Sequence, residues 1–316
     1  MKHLRTLFDL SRDDLHTIIQ WSRALKSKLA MGQRPDLLKN RTCALIFEKA
    51  SLRTRVSFEA GMAQLGGTAI YLTSDAGWRE RESISDFVRV LAEYCDFVVC
   101  RAISQSTIDE LAQHNVLPVI NGLSDLSHPC QAIGDVMTML EHADNHQLQG
   151  KQLTFVGDGN NVVRSLLKAS HLAGMKFRLA CPKAYQLKAD FLDAVKSAYG
   201  PLDFEQSEEI ASMVRHADFI YTDVWTSMGQ EAENEIRKKA FAPYQINEQL
   251  LRLAPAHCKI MHCLPARRGL EITDSVLDSK QSIVFPQAGN RLHAQKGLLL
   301  WLSVKNGYLS SRDLDF

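Results

Sequence analysis

Short apolar runs alternate along the chain with longer segments in which apolar residues recur at helical spacing. The apolar runs cover 42–47, 69–72, 97–100 and 117–120 in the first half, and 153–156, 177–180, 219–222, 259–262 and 283–285 in the second. Runs of this length without polar alternation are typical of strands that are buried on both faces, as in parallel sheets. The alternation therefore predicts an α/β protein with two doubly wound parallel-sheet domains joined by helices.

Three other segments have the residue pattern of helices. Residues 11–29 place apolar side chains near helical spacing after Ser11, which is a favourable N-cap residue. Residues 131–140 form a second amphipathic segment, which a polar loop follows, so this helix is a plausible bridge between the two halves. Residues 298–302 are apolar on all sides, which predicts a buried helix near the C-terminus.

The length of the chain indicates more than one domain. A chain of 316 residues exceeds what one hydrophobic core usually organises. From the pattern we expect a first domain over 1–132 and a second domain over 133–297. The remaining residues, from about 298 to 316, contain the predicted C-terminal helix.

Composition and charge exclude several classes of partner. Lys and Arg number 37 against 36 Asp and Glu, so the net charge of +1 argues against a nucleic-acid or membrane-surface role. Seven cysteines without a framework of close spacings indicate reduced thiols and a cytoplasmic protein. No apolar run is long enough to span a bilayer, so we expect no membrane partner.

The polar stretch after the first predicted strand has the composition of an anion site. Ser51 follows the strand, and apolar residues at helical spacing over 58–65 indicate that a helix begins there. A helix N-terminus offers unpaired N–H groups and the positive end of the helix dipole. Thr54 adds a hydroxyl, and Arg53 and Arg55 add planar donors that match phosphate oxygens. The alternative is an ordinary N-cap serine beside two solvated arginines.

Polar residues also follow several of the other predicted strands. Arg101, Asp223 and Cys263 each come at the end of an apolar run. Ligands of open parallel sheets bind beyond the carboxyl ends of the strands. A loop-initiating polar residue explains any one of the three, but their recurrence favours one shared site.

Two further features of the sequence test for a cofactor or a metal. Gly157 and Gly159 follow a strand, but Val162 stands where the dinucleotide-binding pattern needs its third glycine, so a nucleotide-dependent oxidoreductase is disfavoured. The candidate metal ligands lack a recognised spacing; they are His128, Cys130, His262 and Cys263. We expect neither a cofactor nor a metal.

Several motifs resemble those of the aspartate and ornithine carbamoyltransferase family, over nearly the whole chain. Residues 51–55 resemble the family's carbamoyl-phosphate signature, and residues 128–131 resemble its His-Pro-x-Gln segment. Residues 223–229 resemble the ornithine-binding Asp-x-x-x-Ser-Met-Gly loop, and residues 262–265 resemble the His-Cys-Leu-Pro loop of the ornithine branch. The segment around Arg291 resembles the family's closing segment.

The resemblance implies roles for individual residues. Carbamoyl phosphate would be bound by Ser51, Leu52, Arg53, Thr54, Trp78, Arg101, His128, Gln131, Cys263, Leu264 and Arg291. Ornithine would be bound by Asn161, Asp223, Ser227 and Met228, and catalysis would rest on Arg53, Arg101, His128, Asp223 and Cys263. A carbamoyl group needs donors at its oxygen and an acceptor at its nitrogen, which His128 and Gln131 can supply. Arg291 has an ordinary alternative, as a surface arginine before the last helix.

The resemblance also implies an activity and an assembly. The chain would transfer the carbamoyl group from carbamoyl phosphate to the side-chain amine of L-ornithine, giving L-citrulline and phosphate in arginine biosynthesis. It would form a homotrimer, and its C-terminal helix would cross back to the first domain.

Departures from the family pattern leave other interpretations open. Leu52 stands where the ornithine branch commonly has threonine, and Trp78 resembles a tryptophan of the acetylornithine branch. Residues 286–289 lack the acidic side chains that are usual there. A carbamoyltransferase for N-acylated ornithine or putrescine is therefore an alternative, and so is a catalytically silent regulatory paralogue. The loop at 223–229 favours unmodified ornithine.

Overall fold

A computed structural model of the protein describes residues 1–73, 82–226 and 231–314. The chain forms two compact units. Unit 1 consists of Met1–Met137 and Gly289–Phe316, and unit 2 consists of Thr138–Ala288. The predicted positions Trp78, Ser227 and Met228 lie outside the described residues.

Unit 1 contains a four-stranded parallel sheet. Its strands are β1 (Thr42–Phe47), β2 (Thr68–Leu72), β3 (Phe97–Arg101) and β4 (Val119–Leu123), and their order is β2-β1-β3-β4. The helices that carry residues of this unit are α1 (Arg12–Ala30), α2 (Leu52–Gln64), α3 (Ile84–Tyr94), α4 (Gln105–Gln113), α5 (Pro129–His142) and α12 (Val284–Lys305). The strand order reverses between β1 and β3, so the ends of these two strands border the crevice where ligands of such sheets bind.

Unit 2 contains a five-stranded parallel sheet. Its strands are β5 (Gln152–Val156), β6 (Lys176–Ala180), β7 (Phe204–Ser207), β8 (Phe219–Thr222) and β9 (Lys259–His262), in the order β7-β6-β5-β8-β9. Its helices are α6 (Asn161–Leu172), α7 (Ala189–Tyr199), α8 (Ile210–Val214), α9 (Asn234–Phe241), α10 (Glu248–Leu251) and α11 (Asp274–Leu277). The order reverses between β5 and β8, which makes their carboxyl ends the corresponding position in this sheet.

The two parallel sheets confirm the predicted α/β class, and local signals explain most element boundaries. The first strand begins and ends where the apolar run does, and five of its six residues are buried. The first helix begins after Ser11, whose hydroxyl accepts a hydrogen bond from the backbone of Asp14, while the Asp14 carboxylate accepts one from Ser11.

The last helix of the chain packs closely on the first. A Cβ atom built on Gly297 would lie 2.1 Å from Oγ of Ser22 and 2.5 Å from the carbonyl oxygen of Ile18, so only glycine permits this approach. One turn further, the indole N–H of Trp301 donates to Asp14 at 2.9 Å. The predicted buried helix at 298–302 is thus confirmed as part of α12, which packs against the first helix of unit 1.

Two predictions about this part of the fold need correction. The run 283–285 is not a strand, because Val284 begins α12; its three apolar residues were too few to separate a strand from a helix start. The last helix consequently begins before 298 and ends at Lys305. Pro286 is tolerated because the first helical turn needs no intrahelical N–H donor there.

The strand β7 was not predicted from the sequence. Its residues Phe-Glu-Gln-Ser are largely polar, and it lies at the edge of the sheet.

No helix in the described ranges combines the length and the apolar character that crossing a membrane requires.

Candidate active site

The predicted anion site of unit 1 begins at the N-terminus of α2. Ser51 caps this helix, and its hydroxyl accepts a hydrogen bond from the backbone N–H of Thr54 at 3.4 Å. The helix follows β1 directly, so its positive end lies at the reversal of strand order. The Leu52 side chain is 75% exposed, which leaves its backbone N–H as the group that can serve an anion. Arg55 pairs with Glu59 on the same helix at 2.9 Å.

Three arginines and one histidine form a positively charged cluster in unit 1. Burial, together with the positive charges of Arg291 and Arg53, lowers the pKa of Arg101 from 12.5 to about 10. Burial also lowers the pKa of His128 well below its usual value, and the same three arginines add to this shift. The imidazole is therefore neutral near pH 7, while the guanidinium charges repel one another. An anion placed among them would relieve this repulsion.

Arg291 is buried in unit 1, so it is not the surface arginine that the sequence alone allowed. It is 2% exposed, and its Nη2 atom donates to the hydroxyl of Thr54 at 3.3 Å. Its Nη1 atom donates to the side-chain oxygen of Gln131. Gln131 in turn donates to the fully buried Asp135 at 2.8 Å. Asp135 was missed from the sequence, although its i, i+4 spacing from Gln131 places both on one face of α5.

The turn that carries His128 is held by polar residues of β4, of the segment after it and of α4. Ser124 accepts a hydrogen bond from the backbone N–H of Ser127 at 3.1 Å and donates to Gln105 at 2.6 Å. The amide of Asn121 donates to the same oxygen of Gln105 at 3.1 Å. This buried network, which sequence reasoning did not identify, fixes the segment that presents His128 beside the arginines.

In unit 2 the predicted residues Asp223 and Cys263 lie side by side. They follow the adjacent strands β8 and β9, and the thiol of Cys263 donates to Oδ1 of Asp223 at 3.0 Å. The other carboxylate oxygen accepts a hydrogen bond from the side-chain amide of Asn160 at 3.0 Å. Asp223 is 9% exposed, so these contacts hold the carboxylate in a defined orientation.

The backbone after Cys263 is positioned by a buried histidine and glutamate. The N–H of Leu264 donates to Nδ1 of His262 at 2.8 Å, so Nε2 carries the imidazole proton and donates to Glu271 at 3.1 Å. His262 and Glu271 are completely buried. Leu264 has a φ of +57°, an unfavourable value for leucine that these contacts help to maintain. Glu271 was also missed from the sequence.

The glycine-containing turn after β5 has a structural explanation. A Cβ atom on Gly159 would lie 2.5 Å from the carbonyl oxygen of Tyr185, so this glycine permits a close approach of two backbone segments. Asn160 caps α6, accepting hydrogen bonds from the backbone of Val162 and Val163. The predicted ornithine ligand Asn161 is the first residue of that helix, next to the asparagine that contacts Asp223.

The predicted site residues therefore fall into two groups. Unit 1 holds Ser51, Leu52, Arg53, Thr54, Arg101, His128, Gln131 and Arg291, and unit 2 holds Asn161, Asp223, Cys263 and Leu264. The donor atoms of Asp223, His262 and Cys263 lie within 4.8 Å of one another. Both imidazole nitrogens of His262 are engaged in hydrogen bonds, so we assign no metal to this group.

Comparison with known proteins gives matches over both units. Residues 2–141 match the sequence model described as "Aspartate/ornithine carbamoyltransferase, carbamoyl-P binding domain". Residues 149–302 match the model described as "Aspartate/ornithine carbamoyltransferase, Asp/Orn binding domain".

Individual relatives match over almost the whole chain. An ornithine carbamoyltransferase of Archaeoglobus fulgidus is 47% identical over 96% of this chain and 98% of its own length. One of Methanosarcina acetivorans is 45% identical over 94% of this chain and 97% of its own length. The solved structure of the Pyrococcus furiosus ornithine carbamoyltransferase is similar, with a TM-score of 0.90 and 42% identity over 95% of this chain and 96% of that one.

Proposed function

The chain belongs to the aspartate/ornithine carbamoyltransferase family, and on this premise we propose that it transfers the carbamoyl group of carbamoyl phosphate to the side-chain amine of L-ornithine. The products are L-citrulline and phosphate, and the reaction serves arginine biosynthesis. Relatives of 41–47% identity named ornithine carbamoyltransferase support the choice of substrate.

The observation that carries this proposal is the cluster of Arg53, Arg101 and Arg291 around a neutral His128 in unit 1. Carbamoyl phosphate is a small dianion, and this cluster has the charge and the donors that such a ligand needs. Its phosphate group binds at the start of α2, where Ser51, Thr54 and the first backbone N–H groups are available.

Unit 1 stabilises the charge that develops during transfer. As the amine nitrogen bonds to the carbamoyl carbon, the carbonyl oxygen becomes negatively charged, and the bond from carbon to the phosphate oxygen then breaks. Arg53, Arg101 and His128 donate hydrogen bonds to this oxygen and to the departing phosphate. Gln131, oriented by Asp135, accepts a hydrogen bond from the carbamoyl nitrogen.

Unit 2 binds ornithine and prepares its amine. Asn161, Ser227 and Met228 hold the α-amino acid end, and Asp223 attracts the ammonium group. The amine must lose a proton before it attacks, and the pair of Asp223 and Cys263 lies at the end of two neighbouring strands with a carboxylate to receive it. Cys263 forms no bond to carbon in this scheme; its thiol orients Asp223 and contacts the substrate.

We also propose a cytoplasmic homotrimer. Unit 1 exposes apolar side chains that a partner subunit could cover, including Leu52 at 75%, Val56 at 48% and Ile70 at 44%. Trp78 contributes to carbamoyl phosphate binding. Seven cysteines in the thiol state are compatible with a reducing compartment.

One assay tests the activity. Purified protein is incubated with carbamoyl phosphate and ornithine, and citrulline is measured; Arg53→Ala is expected to reduce the rate by about 100-fold or more. The matched control is Arg23→Ala, which removes the same charge from an exposed position of α1 in the same unit.

Parallel reactions with N-acetylornithine and putrescine separate the substrate alternatives. If one of these amines gives product and ornithine does not, that amine is the substrate in place of ornithine. Absence of product with every amine would contradict the proposed activity and favour a catalytically silent protein.

A further inference from the structure

We propose that Arg237 is a positioning residue for ornithine, because it connects the two segments of unit 2 that carry the ornithine ligands. We call residues 157–161, after β5, the glycine turn, and residues 223–226, after β8, the acid loop. This inference rests on the proposed function and adds to it a residue that touches neither substrate.

Arg237 lies on α9 and uses its guanidinium group in three directions. Its Nε atom donates to the carbonyl oxygen of Trp225, in the acid loop, at 2.7 Å. Its Nη2 atom donates to the carboxylate of Asp158, in the glycine turn. Its Nη1 atom donates to Glu233 at 3.2 Å. Arg237 is 2% exposed, so its contacts with Trp225 and Asp158 are made away from water, whereas Glu233 is exposed.

Aromatic side chains keep the guanidinium group in this orientation. Its central carbon lies 4.7 Å from the centre of the Tyr185 ring and 5.7 Å from that of Phe241. The backbone carbonyl of Tyr185 accepts a hydrogen bond from Gly159 of the glycine turn at 3.0 Å. The ring of Phe241 stacks on Trp225 of the acid loop at 6.3 Å. The same two residues that enclose Arg237 therefore also contact the two segments.

The glycine turn and the acid loop are thus joined twice. One connection is direct, from Asn160 to Asp223 at 3.0 Å, and it involves a proposed catalytic residue. The other runs from Asp158 through Arg237 to the backbone of Trp225. Ser227 and Met228 follow Trp225 by two and three residues in the sequence, so the second connection fixes the point from which their segment departs.

The buried pair of Arg237 and Asp158 is not explained by stability. Burial raises the pKa of Asp158 to about 6, even though the neighbouring Arg237 lowers it, and the charge of Asp223 raises it as well. An ionised Asp158 is therefore disfavoured in the folded protein despite its partner. Buried ion pairs often contribute little net stability, but their geometry can specify one arrangement. Here that arrangement is the spacing of the two segments that hold ornithine.

The test compares Arg237→Lys and Asp158→Asn with the wild type. Lysine keeps the charge but cannot reach three acceptors at once, and asparagine keeps the shape of the aspartate without its charge. We expect kcat/KM for ornithine to fall by about 10- to 100-fold through a higher KM, since small displacements of a substrate are costly. KM for carbamoyl phosphate, whose proposed phosphate ligands lie in unit 1, is expected to change less than about twofold.

The matched control is Arg178→Lys, another arginine of unit 2, which pairs with Asp203 at 2.7 Å. It should leave both KM values unchanged. The thermal midpoint of each variant is measured alongside, so that a loss of ornithine affinity is separated from unfolding.

The outcomes separate the two proposals. A wild type that forms no citrulline refutes the proposed function and this inference with it. An active wild type whose KM for ornithine is unchanged in both variants refutes the inference alone. Equal losses for both substrates also overturn it.

Discussion

Replacement of Arg101 by methionine is expected to stabilise the protein without ligand while removing most of its activity. Arg101 lies at the end of β3, and its charge is disfavoured by burial and by the charges of Arg291 and Arg53. Methionine has a similar length and no charge, so the variant removes the repulsion and keeps much of the packing. The substitution therefore separates the effect of the charge cluster on stability from its effect on activity.

The size of the effect follows from the shift in pKa. The pKa of Arg101 falls from 12.5 to about 10, and at 1.36 kcal/mol per unit this corresponds to about 3 kcal/mol against the charged form. Arg101 is partly solvated and methionine loses the other interactions of the guanidinium, so we expect about half of this as net stabilisation. For a folded unit of the size of unit 1, this net stabilisation corresponds to a rise of about 4 °C in the thermal midpoint.

Thermal unfolding with and without inorganic phosphate measures both sides of the prediction. Phosphate, a product of the proposed reaction, should raise the midpoint of the wild type by occupying the cluster. The same concentration should raise the midpoint of Arg101→Met less, because one of three cationic partners is missing. Citrulline formation should fall by about 100-fold or more.

Two results would refute this reasoning. A lower midpoint for Arg101→Met in plain buffer would show that the three charges do not repel one another at a net cost. A phosphate-induced shift equal to that of the wild type would show that the anion binds elsewhere. The Arg23→Ala variant serves as the control for a general effect of lost positive charge.

Three further predictions concern other features of the fold and site. Cys263→Ser should retain measurable citrulline formation, since a hydroxyl can still donate to the neighbouring carboxylate; a complete loss would favour a covalent role for sulfur. In denaturant titrations, Gly297→Ala should lower the free energy of unfolding by about 1–3 kcal/mol, because the added methyl group clashes with Ser22. Gly289→Ala should raise it by about 0.5–1 kcal/mol, because a methyl group there meets no atom within 4 Å and alanine favours the helix. The pKa of Asp158 is about 6 in the folded protein against an ordinary value of 3.8, so the folded protein binds this proton more tightly and its free energy of unfolding should fall as pH rises from about 4 to 6. Asp158→Asn should remove up to about 3 kcal/mol of that fall. Urea titrations across this pH range that show the same fall in the variant would contradict the assignment.

Local signals made the scaffold of each unit predictable. The strand 42–47 and the helix start at Ser51 depend on a continuous apolar run and a capping hydroxyl, both of which stand within a few adjacent residues. The edge strand β7 escaped because a polar four-residue sequence at a sheet edge has no periodic signature. The run 283–285 was misassigned because a buried helix start and a buried strand look alike over three residues.

Residues that orient the site were harder to predict than the residues they orient. Arg291 contacts Gln131 across 160 positions of sequence, and nothing local to either residue indicates that contact. Asp135 and Glu271 are buried carboxylates that orient a partner by accepting its hydrogen bond: Gln131 for Asp135 and His262 for Glu271. The role of Arg237 was likewise not predicted, since the sequence of its helix is typical of a charged surface segment. Long-range hydrogen bonds of this kind are fixed by the fold as a whole.

The contact of α12 with α2 has a consequence for biosynthesis of the chain. The proposed phosphate ligand Ser51 is translated 240 residues before Arg291, which donates to Thr54 of α2. A ribosome stalled or stopped before codon 284 would release a first unit with its sheet strands in place, an incomplete anion pocket and an uncovered surface along α1 beside Ser22. A nonsense mutation anywhere before codon 291 should therefore leave the anion site incomplete, however much of unit 2 has been translated.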